Sequence, residues 1–250
     1  MTNTIKKEIG QLIIAGFRGN SINKNSDIVK YIKDFNIGGV ILYDEDLEIG
    51  GPGSRNITSP KQLKDLTKKL QSFTEKTLLI SVDQEGGEVH RLKSLYGFTN
   101  TPPWRQIGIL DNELMTKQFS DNIASDLSKA GINLNFAPVI DLDYGEGSVI
   151  SDSNRSFTDD PEKLIKHAEI FIKSHREKGI LTSGKHFPGL GSGITDTHEG
   201  YTDLTKTWSV KDLQPFNELI KSQELDIVMV SHAIDKKLDP IFPASLSKKI

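Results

Sequence analysis

Residues 78–92 read L-L-I-S-V-D-Q-E-G-G-E-V-H-R-L. The first five form a nearly continuous apolar run, which is typical of a parallel strand covered on both faces. Charged residues follow directly, among them Asp83, Glu85 and Arg91. Enzymes with parallel sheets place their sites at the carboxyl ends of the strands. The stretch therefore predicts an α/β fold with a polar site at one end of its sheet.

Similar apolar runs recur along the chain and alternate with segments of helical period. The predicted strands are Leu12–Ala15, Gly39–Leu42, Leu78–Val82, Asn133–Ala137, Leu181–Ser183 and Ile227–Val230. Helices are expected to begin at Ser59-Pro60, Asp160-Pro161 and Ser209, where a capping side chain precedes the apolar stripe, and a fourth helix is predicted from Asp111 to Ala130. Because no linker or change in composition interrupts the alternation, we expect one domain over residues 1–250.

Composition narrows the classes of partner. The chain has 250 residues, a formal net charge of -3 and no cysteine. The absence of a basic stripe argues against nucleic acid and anionic membrane surfaces as partners, and the absence of cysteine excludes disulfides and thiolate metal sites. The N-terminal apolar run has only four residues, too few for a secretory signal or a membrane span. We therefore expect a cytoplasmic protein.

Polar clusters also follow the later predicted strands. Arg155 lies in D-S-N-R-S-F, downstream of the fourth strand, and His232 lies two residues past the sixth. The fifth strand leads into G-K-H-F-P-G-L-G-S-G-I-T-D-T-H-E-G, residues 184–200, which contains Lys185 and His186. Since the carboxyl ends of parallel strands meet at one edge, these groups predict a pocket for a polar small molecule.

Each group also has a structural interpretation. An aspartate after a strand is often a helix cap or a turn residue, and Arg155 alone would be a surface ion-pair residue. Glu85 and Glu88 could equally be charges at a helix N-terminus. Three further histidines are expected at the surface: His90, His167 and His175. The coincidence of four consecutive strand ends with charged groups favours the functional interpretation.

Asp196-Thr197-His198 is the stretch with the clearest pattern for acid/base chemistry. An aspartate two residues from a histidine can orient the imidazole and stabilise its protonated form, which suits a general acid/base. The alternatives are a loop histidine beside a turn-forming aspartate and, less favoured, a metal site that also includes His186 and His232. Because the H-E-x-x-H pattern and the nucleotide-binding fingerprints are missing, neither a metal nor a cofactor is expected.

The motifs together resemble glycoside hydrolase family 3, in its β-N-acetylglucosaminidase branch. The resemblance rests on D-Q-E-G-G-E-V-H-R-L, N-F-A-P-V-I-D-L-D-Y-G, N-R-S-F-T-D-D-P, the K-H-F-P-G-L-G segment followed by D-T-H, and V-M-V-S-H-A-I-D, and it extends from Ile9 to Ile250. It implies a TIM-type (β/α)8 barrel, here with about six of eight units. It also implies hydrolysis that releases terminal β-linked N-acetylglucosamine, such as from peptidoglycan fragments, with retention and without metal.

The resemblance also assigns roles to individual residues. His198 is the implied general acid/base, with Asp196 as its partner, and Met229 and His232 would line the pocket floor. Leu190 stands where many members have histidine, from which we expect changed loop packing rather than lost chemistry. The implied contacts to the sugar are Asp83, Arg91, Arg155, Lys185 and His186.

A retaining glycosidase normally also requires a second carboxylate, the nucleophile. The family places it after a stretch resembling P-A-S-L-S-K-K-I, which here is residues 243–250. We therefore expect no nucleophile within these residues and little or no activity from this 250-residue form. Asp235 and Asp239 do not match the nucleophile's setting. The alternatives are a family 3 hydrolase for another β-glycoside and a non-catalytic sugar-binding remnant.

Overall fold

A computed structural model describes residues 3–195 and 200–250, which form two compact units. The first consists of the residues up to Gln84 together with Arg91–Asn100 and Ala124–Asn135. The second consists of Glu85–His90, Thr101–Ile123 and Phe136–Ile250. The expectation of a single domain over residues 1–250 stays a prediction.

The first unit is a parallel sheet with helices. Its strands pair in chain order: β1 (Ile14–Gly16), β2 (Gly39–Leu42), β3 (Leu79–Val82) and β4 (Leu134–Asn135). Its helices are α1 (Asn3–Gly10), α2 (Asp27–Asp34) and α3 (Pro60–Gln71), with a 3-10 turn over Ser94–Tyr96. Val40, Leu42 and Val82 are fully buried, as expected for strands covered on both faces.

The second unit is built on a strand pair and a helical layer. β5 (Leu181–Phe187) pairs in parallel with β6 (Ile227–Val230). The helices are α4 (Trp104–Leu110), α5 (Glu113–Ala130, up to Ile123 in this unit), α6 (Val149–Asp152), α7 (Pro161–Arg176) and α8 (Gln214–Lys221), with 3-10 turns over Val210–Leu213 and Ala244–Leu246. Trp104 packs against Phe157 and Phe171 in the buried part of this unit, with ring centroids 4.7 and 5.3 Å away.

The predicted strands are all present; β2 and β6 have the predicted bounds, whereas the other four have changed ends. β5 continues to Phe187, four residues past its predicted end, so that Lys185 and His186 lie within the strand. β4 is shortened to two residues. Pro138 has no N–H to donate, and beyond it only an isolated bridge joins Val139 to Lys185.

The predicted helix caps are present as well. The Ser59 side chain accepts from Gln62 N, and the Asp160 side chain accepts from Glu162 N and Lys163 N. Ser209 forms a capping box with Asp212, although a 3-10 turn comes before α8. Asp111 was predicted to begin a helix, but it lies in a left-handed conformation after α4.

The expectation that His167 and His175 lie at the surface is wrong, since both are fully buried. They continue the apolar stripe of α7 that Leu164 and Phe171 begin, at helical spacing. His167 Nδ1 lies 2.6 Å from Thr116 Oγ1. His175 Nδ1 lies 2.8 Å from the Phe171 carbonyl, and burial lowers the pKa of His175 to about 4. His90 is partly buried.

Candidate active site

The centre of the candidate site is a buried carboxylate between two cations in the second unit. Glu85 is fully buried, and its Oε2 and Oε1 accept from Arg155 Nε and Nη2, each at 2.8 Å. Lys185 Nζ lies 2.6 Å from Glu85 Oε1. The Arg155 bond is bidentate, which fixes the plane of the guanidinium as well as its position. We call Glu85, Arg155 and Lys185 with His186 and Asp141 the Glu85 cluster.

Local structure fixes the Glu85 backbone. Glu85 N donates to Val89 O at 3.0 Å, and Trp104 Nε1 donates to Glu85 O. Gly87 follows with a φ of +63°, and a Cβ there would lie 2.6 Å from Pro103 Cα. This position therefore needs glycine, both for its backbone conformation and for close packing. The D-Q-E-G-G sequence thus holds a charged side chain inside the unit.

Electrostatics keep Glu85 ionised. Burial by itself raises the pKa of the Glu85 carboxyl, but the charges of Lys185 and Arg155, with their hydrogen bonds, outweigh it and lower the pKa to about 2. A carboxylate in such surroundings is a structural anion and not a proton donor at neutral pH. The side chains of Arg155 and His186 retain 18% and 15% exposure, whereas that of Lys185 retains 3%. Arg155 and His186 therefore present the cluster to a ligand.

Asp141 joins the cluster through His186. Its Oδ2 lies 2.6 Å from His186 Nδ1, and its two oxygens lie 3.1 and 3.2 Å from His186 N. His186 Nε2 lies 3.3 Å from Arg155 Nη2. The Lys185–His186 peptide bond is cis. The arrangement fixes the positions of hydrogen-bond donors and acceptors on positively and negatively charged side chains. Such groups suit the recognition of sugar hydroxyl groups.

A second charged group lies in the first unit, around Asp44. Asp44 is buried, and Lys93 Nζ lies 2.6 Å from its Oδ2. Arg91 Nη1 lies 4.0 Å from Asp44 Oδ1, and the Arg91 guanidinium lies 5.6 Å from the Tyr43 ring centroid. The predicted ligand Asp83 is partly buried in the same unit. Asp83 and Arg91 therefore belong to the first unit, whereas the Glu85 cluster belongs to the second.

The remaining predicted residues have diverse locations. Met229 is opposite Lys185 in the β5–β6 register and is partly buried. His232 is exposed, and its Nδ1 lies 2.7 Å from Ser245 Oγ. Asp196 and His198 lie outside the described residues. Leu190, in contrast, is buried in an apolar cluster with Val139, Ile150, Leu204 and Ala233.

Asp235 and Asp239, which did not match the nucleophile, are both buried. Asp239 Oδ1 accepts from Ile241 N and Phe242 N, and its Oδ2 accepts from Ser247 Oγ at 2.7 Å. Asp235 Oδ1 accepts from Lys237 N at 2.8 Å. Both carboxylates thus organise the turns after β6.

Over residues 3–195 and 200–250, no group of three or more histidine and acidic side chains could hold a metal ion. In the same part of the chain, no helix combines the length and apolar character needed to cross a bilayer.

The sequence reasoning missed two residues of the site. Asp141 lies within N-F-A-P-V-I-D-L-D-Y-G, but the motif alone indicates no role for it. Glu85 was interpreted as a possible helix charge, whereas it anchors two cations. A signal for Glu85 was available, since two glycines follow it directly and a helix does not begin in that way. For Asp141 the signal was weaker, because Asp143 two residues later has the same character.

Comparisons with known proteins identify the family. Residues 4–250 match the model of the glycosyl hydrolase family 3 N-terminal domain. A beta-hexosaminidase of Nitrosomonas eutropha is 35% identical over 226 residues, covering 85% of this chain and 59% of that protein. One from Tolumonas auensis is 37% identical over 217 residues, covering 85% and 60%. The chain thus spans about 60% of the length of these curated relatives.

Comparison with solved structures identifies the same family. A family 3 beta-N-acetylglucosaminidase from Paenibacillus matches with a TM-score of 0.86 and 30% identity, over 98% of this chain and 45% of that one. NagZ from Neisseria gonorrhoeae, in complex with N-trifluoroacetyl-D-glucosamine, matches with a TM-score of 0.80 and 31% identity, over 94% of this chain and 67% of that one. The chain belongs to glycosyl hydrolase family 3, and its α/β fold is that of the N-terminal barrel domain of the family.

Proposed function

We propose that the protein carrying this chain hydrolyses terminal β-linked N-acetylglucosamine from its substrates, with retention of configuration. The observation that carries the proposal is the Glu85 cluster, which holds two cations and a histidine at the end of β5. The beta-hexosaminidases and beta-N-acetylglucosaminidases among the similar proteins supply the substrate class. Fragments of peptidoglycan are the substrates that we propose, in the cytoplasm.

Binding of the sugar is assigned first to the second unit. The side chains of Arg155 and His186 are partly exposed, whereas Lys185 is buried and binds Glu85 within the Glu85 cluster. Because Glu85 fixes both cations, a sugar hydroxyl would meet donors that are already oriented, which reduces the entropy lost on binding. Asp83 and Arg91 are further proposed contacts, on the strength of the D-Q-E-G-G-E-V-H-R motif. Met229 and His232 are proposed, from the family resemblance, for the pocket floor.

The chemistry is assigned to His198 and Asp196. His198 would protonate the leaving oxygen while a carboxylate attacks the anomeric carbon, and it would then take a proton from the water that hydrolyses the covalent intermediate. Asp196 would orient the imidazole and stabilise its positive charge. From the family resemblance we expect the attacking carboxylate in the part of the relatives' length that this chain does not span. The 250-residue chain alone is accordingly proposed to bind sugar without appreciable turnover.

The test uses the protein extended to the length of its relatives. It should hydrolyse an aryl β-N-acetylglucosaminide in preference to the β-glucoside, and NMR should show the β-anomer as the first product. His198→Ala should abolish most of this activity. The initial appearance of the α-anomer, or a preference for the β-glucoside, would contradict the proposal. Binding of N-acetylglucosamine without turnover would instead support the sugar-binding alternative.

A further inference from the structure

We propose that Asp141 is a positioning residue for sugar binding, which holds His186 in one orientation and one tautomer. The inference rests on the proposed function, because it assigns His186 to the sugar. The sequence motifs alone indicate no role for Asp141. Asp141 has 1% exposure, so it acts on a ligand only through the groups that it contacts.

The contacts of Asp141 determine which ring nitrogen carries hydrogen. His186 Nδ1 lies 2.6 Å from Asp141 Oδ2. An ionised carboxylate only accepts hydrogen bonds, so Nδ1 must be the protonated nitrogen. The same carboxylate accepts from His186 N. Asp141 therefore holds both the backbone and the ring of His186.

The opposite side of the ring gives the same tautomer. His186 Nε2 lies 3.3 Å from Arg155 Nη2, which is only a donor. Nε2 therefore accepts and carries no hydrogen. Arg155 cannot turn away, because Glu85 binds its Nε and Nη2 in a bidentate pair. Two independently fixed partners thus select the neutral Nδ1–H imidazole.

Asp141 also connects His186 to the segment that follows β5. Its Oδ1 accepts from Leu190 N at 2.7 Å, and the Leu190 side chain is buried among Val139, Ile150, Leu204 and Ala233. Because Leu190 is anchored in that apolar cluster, it fixes the position of the carboxylate. The ring of His186 is therefore held relative to the packed core of the unit.

Asp143 supplies a matched control. It lies two residues from Asp141 on the same segment, but its Oδ2 binds Arg105 Nε at 3.2 Å and its Oδ1 accepts from Gly145 N. Its carboxylate is thus engaged away from His186. Asp143→Asn removes the same charge from the same segment, so effects of charge alone would appear in both variants.

The tautomer is measured by long-range 1H–15N NMR of histidine-labelled protein at full length. We expect a neutral Nδ1–H signature for His186 in the wild type and in Asp143→Asn. In Asp141→Asn, Leu190 N and His186 N keep the amide oxygen at the Oδ1 position, so the amide NH2 group faces His186 Nδ1. This donor competes with the Arg155 donor on the other side of the ring. We therefore expect the single Nδ1–H signature to be lost, with affinity for N-acetylglucosamine reduced roughly 10- to 100-fold. An Nε2–H or doubly protonated His186 in the wild type would overturn the inference without any variant. So would an Asp141→Asn protein with unchanged tautomer and affinity.

The two proposals fail separately. If the wild type does not bind N-acetylglucosamine, the proposed function is contradicted, while the tautomer still reports on Asp141. If Asp141→Asn does not fold, Asp141→Glu tests the same contact. We expect Asp141→Glu to keep a carboxylate acceptor and the Nδ1–H tautomer, with a smaller loss of affinity. A change of tautomer in Asp143→Asn equal to that in Asp141→Asn would contradict the specific role.

Discussion

Replacement of Glu85 by glutamine should destabilise the protein strongly, although the side chain keeps its size. The Lys185 and Arg155 charges, acting against the effect of burial, lower the pKa of Glu85 from 4.5 to about 2. A shift of one pKa unit corresponds to about 1.4 kcal/mol, so the folded protein stabilises the ionised form of Glu85 by about 3 kcal/mol relative to the unfolded chain. Loss of one partner of a buried ion pair costs a similar 3–5 kcal/mol or so. We therefore expect the free energy of unfolding to fall by about 3 kcal/mol at pH 7.

The dependence on pH separates this electrostatic effect from a packing effect. The folded-state pKa of Glu85 is below the unfolded one, so its stabilisation is complete above about pH 4.5 and is lost as the pH falls toward 2. The difference between wild type and Glu85→Gln should therefore narrow by about 1 kcal/mol from pH 7 to pH 4. Urea unfolding followed by tryptophan fluorescence measures it, since the buried Trp104 donates to Glu85 O.

Glu88→Gln is the matched control for this experiment. Glu88 is exposed, and its Oε1 accepts from Asn154 Nδ2 at 3.4 Å. This variant should remain within about 0.5 kcal/mol of the wild type. If Glu85→Gln costs less than about 1 kcal/mol, the reasoning from buried ion pairs is refuted. A cost that is equal at pH 7 and pH 4 would refute the electrostatic explanation.

Two further predictions concern stability. Gly108→Ala should lower the free energy of unfolding by about 2 kcal/mol in urea unfolding experiments, because a Cβ would lie 1.6 Å from Phe157 O. Inside a helix, this substitution usually stabilises a protein by about 1 kcal/mol. A stabilised variant would show that the contact relaxes. Burial lowers the pKa of His175 to about 4. Between pH 6.5 and 4 this histidine therefore gains a proton only in the unfolded protein, and the free energy of unfolding decreases as the pH is lowered. His175→Gln should reduce the loss of stability from pH 7 to pH 5 by about 2 kcal/mol, and an unchanged loss would contradict the assignment.

Local chemistry made much of the fold predictable. The strands are short apolar runs, and the caps at Ser59 and Asp160 depend on neighbours two or three residues away. The end of β5 was not predicted because Lys185 and His186 are polar, and polar side chains are buried in a strand only when other residues supply their partners. The partner of Lys185 is Glu85 and that of His186 is Asp141, both far away in the sequence.

The sequence indicates part of the candidate site, but not its contacts. The motifs identify Arg155, Lys185 and His186, yet nothing local indicates that Glu85 neutralises two of them. The polarity of His175 predicts a surface position, whereas its place on the apolar stripe of α7 buries it. In both cases a distant partner or a buried face decides the role.

The most direct test of the account is the affinity for N-acetylglucosamine, measured by calorimetry on wild-type protein and Lys185→Met. We expect the wild type to bind and Lys185→Met to lose affinity by about tenfold or more. Circular dichroism should show that the variant keeps its helices and strands. Equal affinities for N-acetylglucosamine in two folded proteins would contradict the claim that the Glu85 cluster binds the sugar.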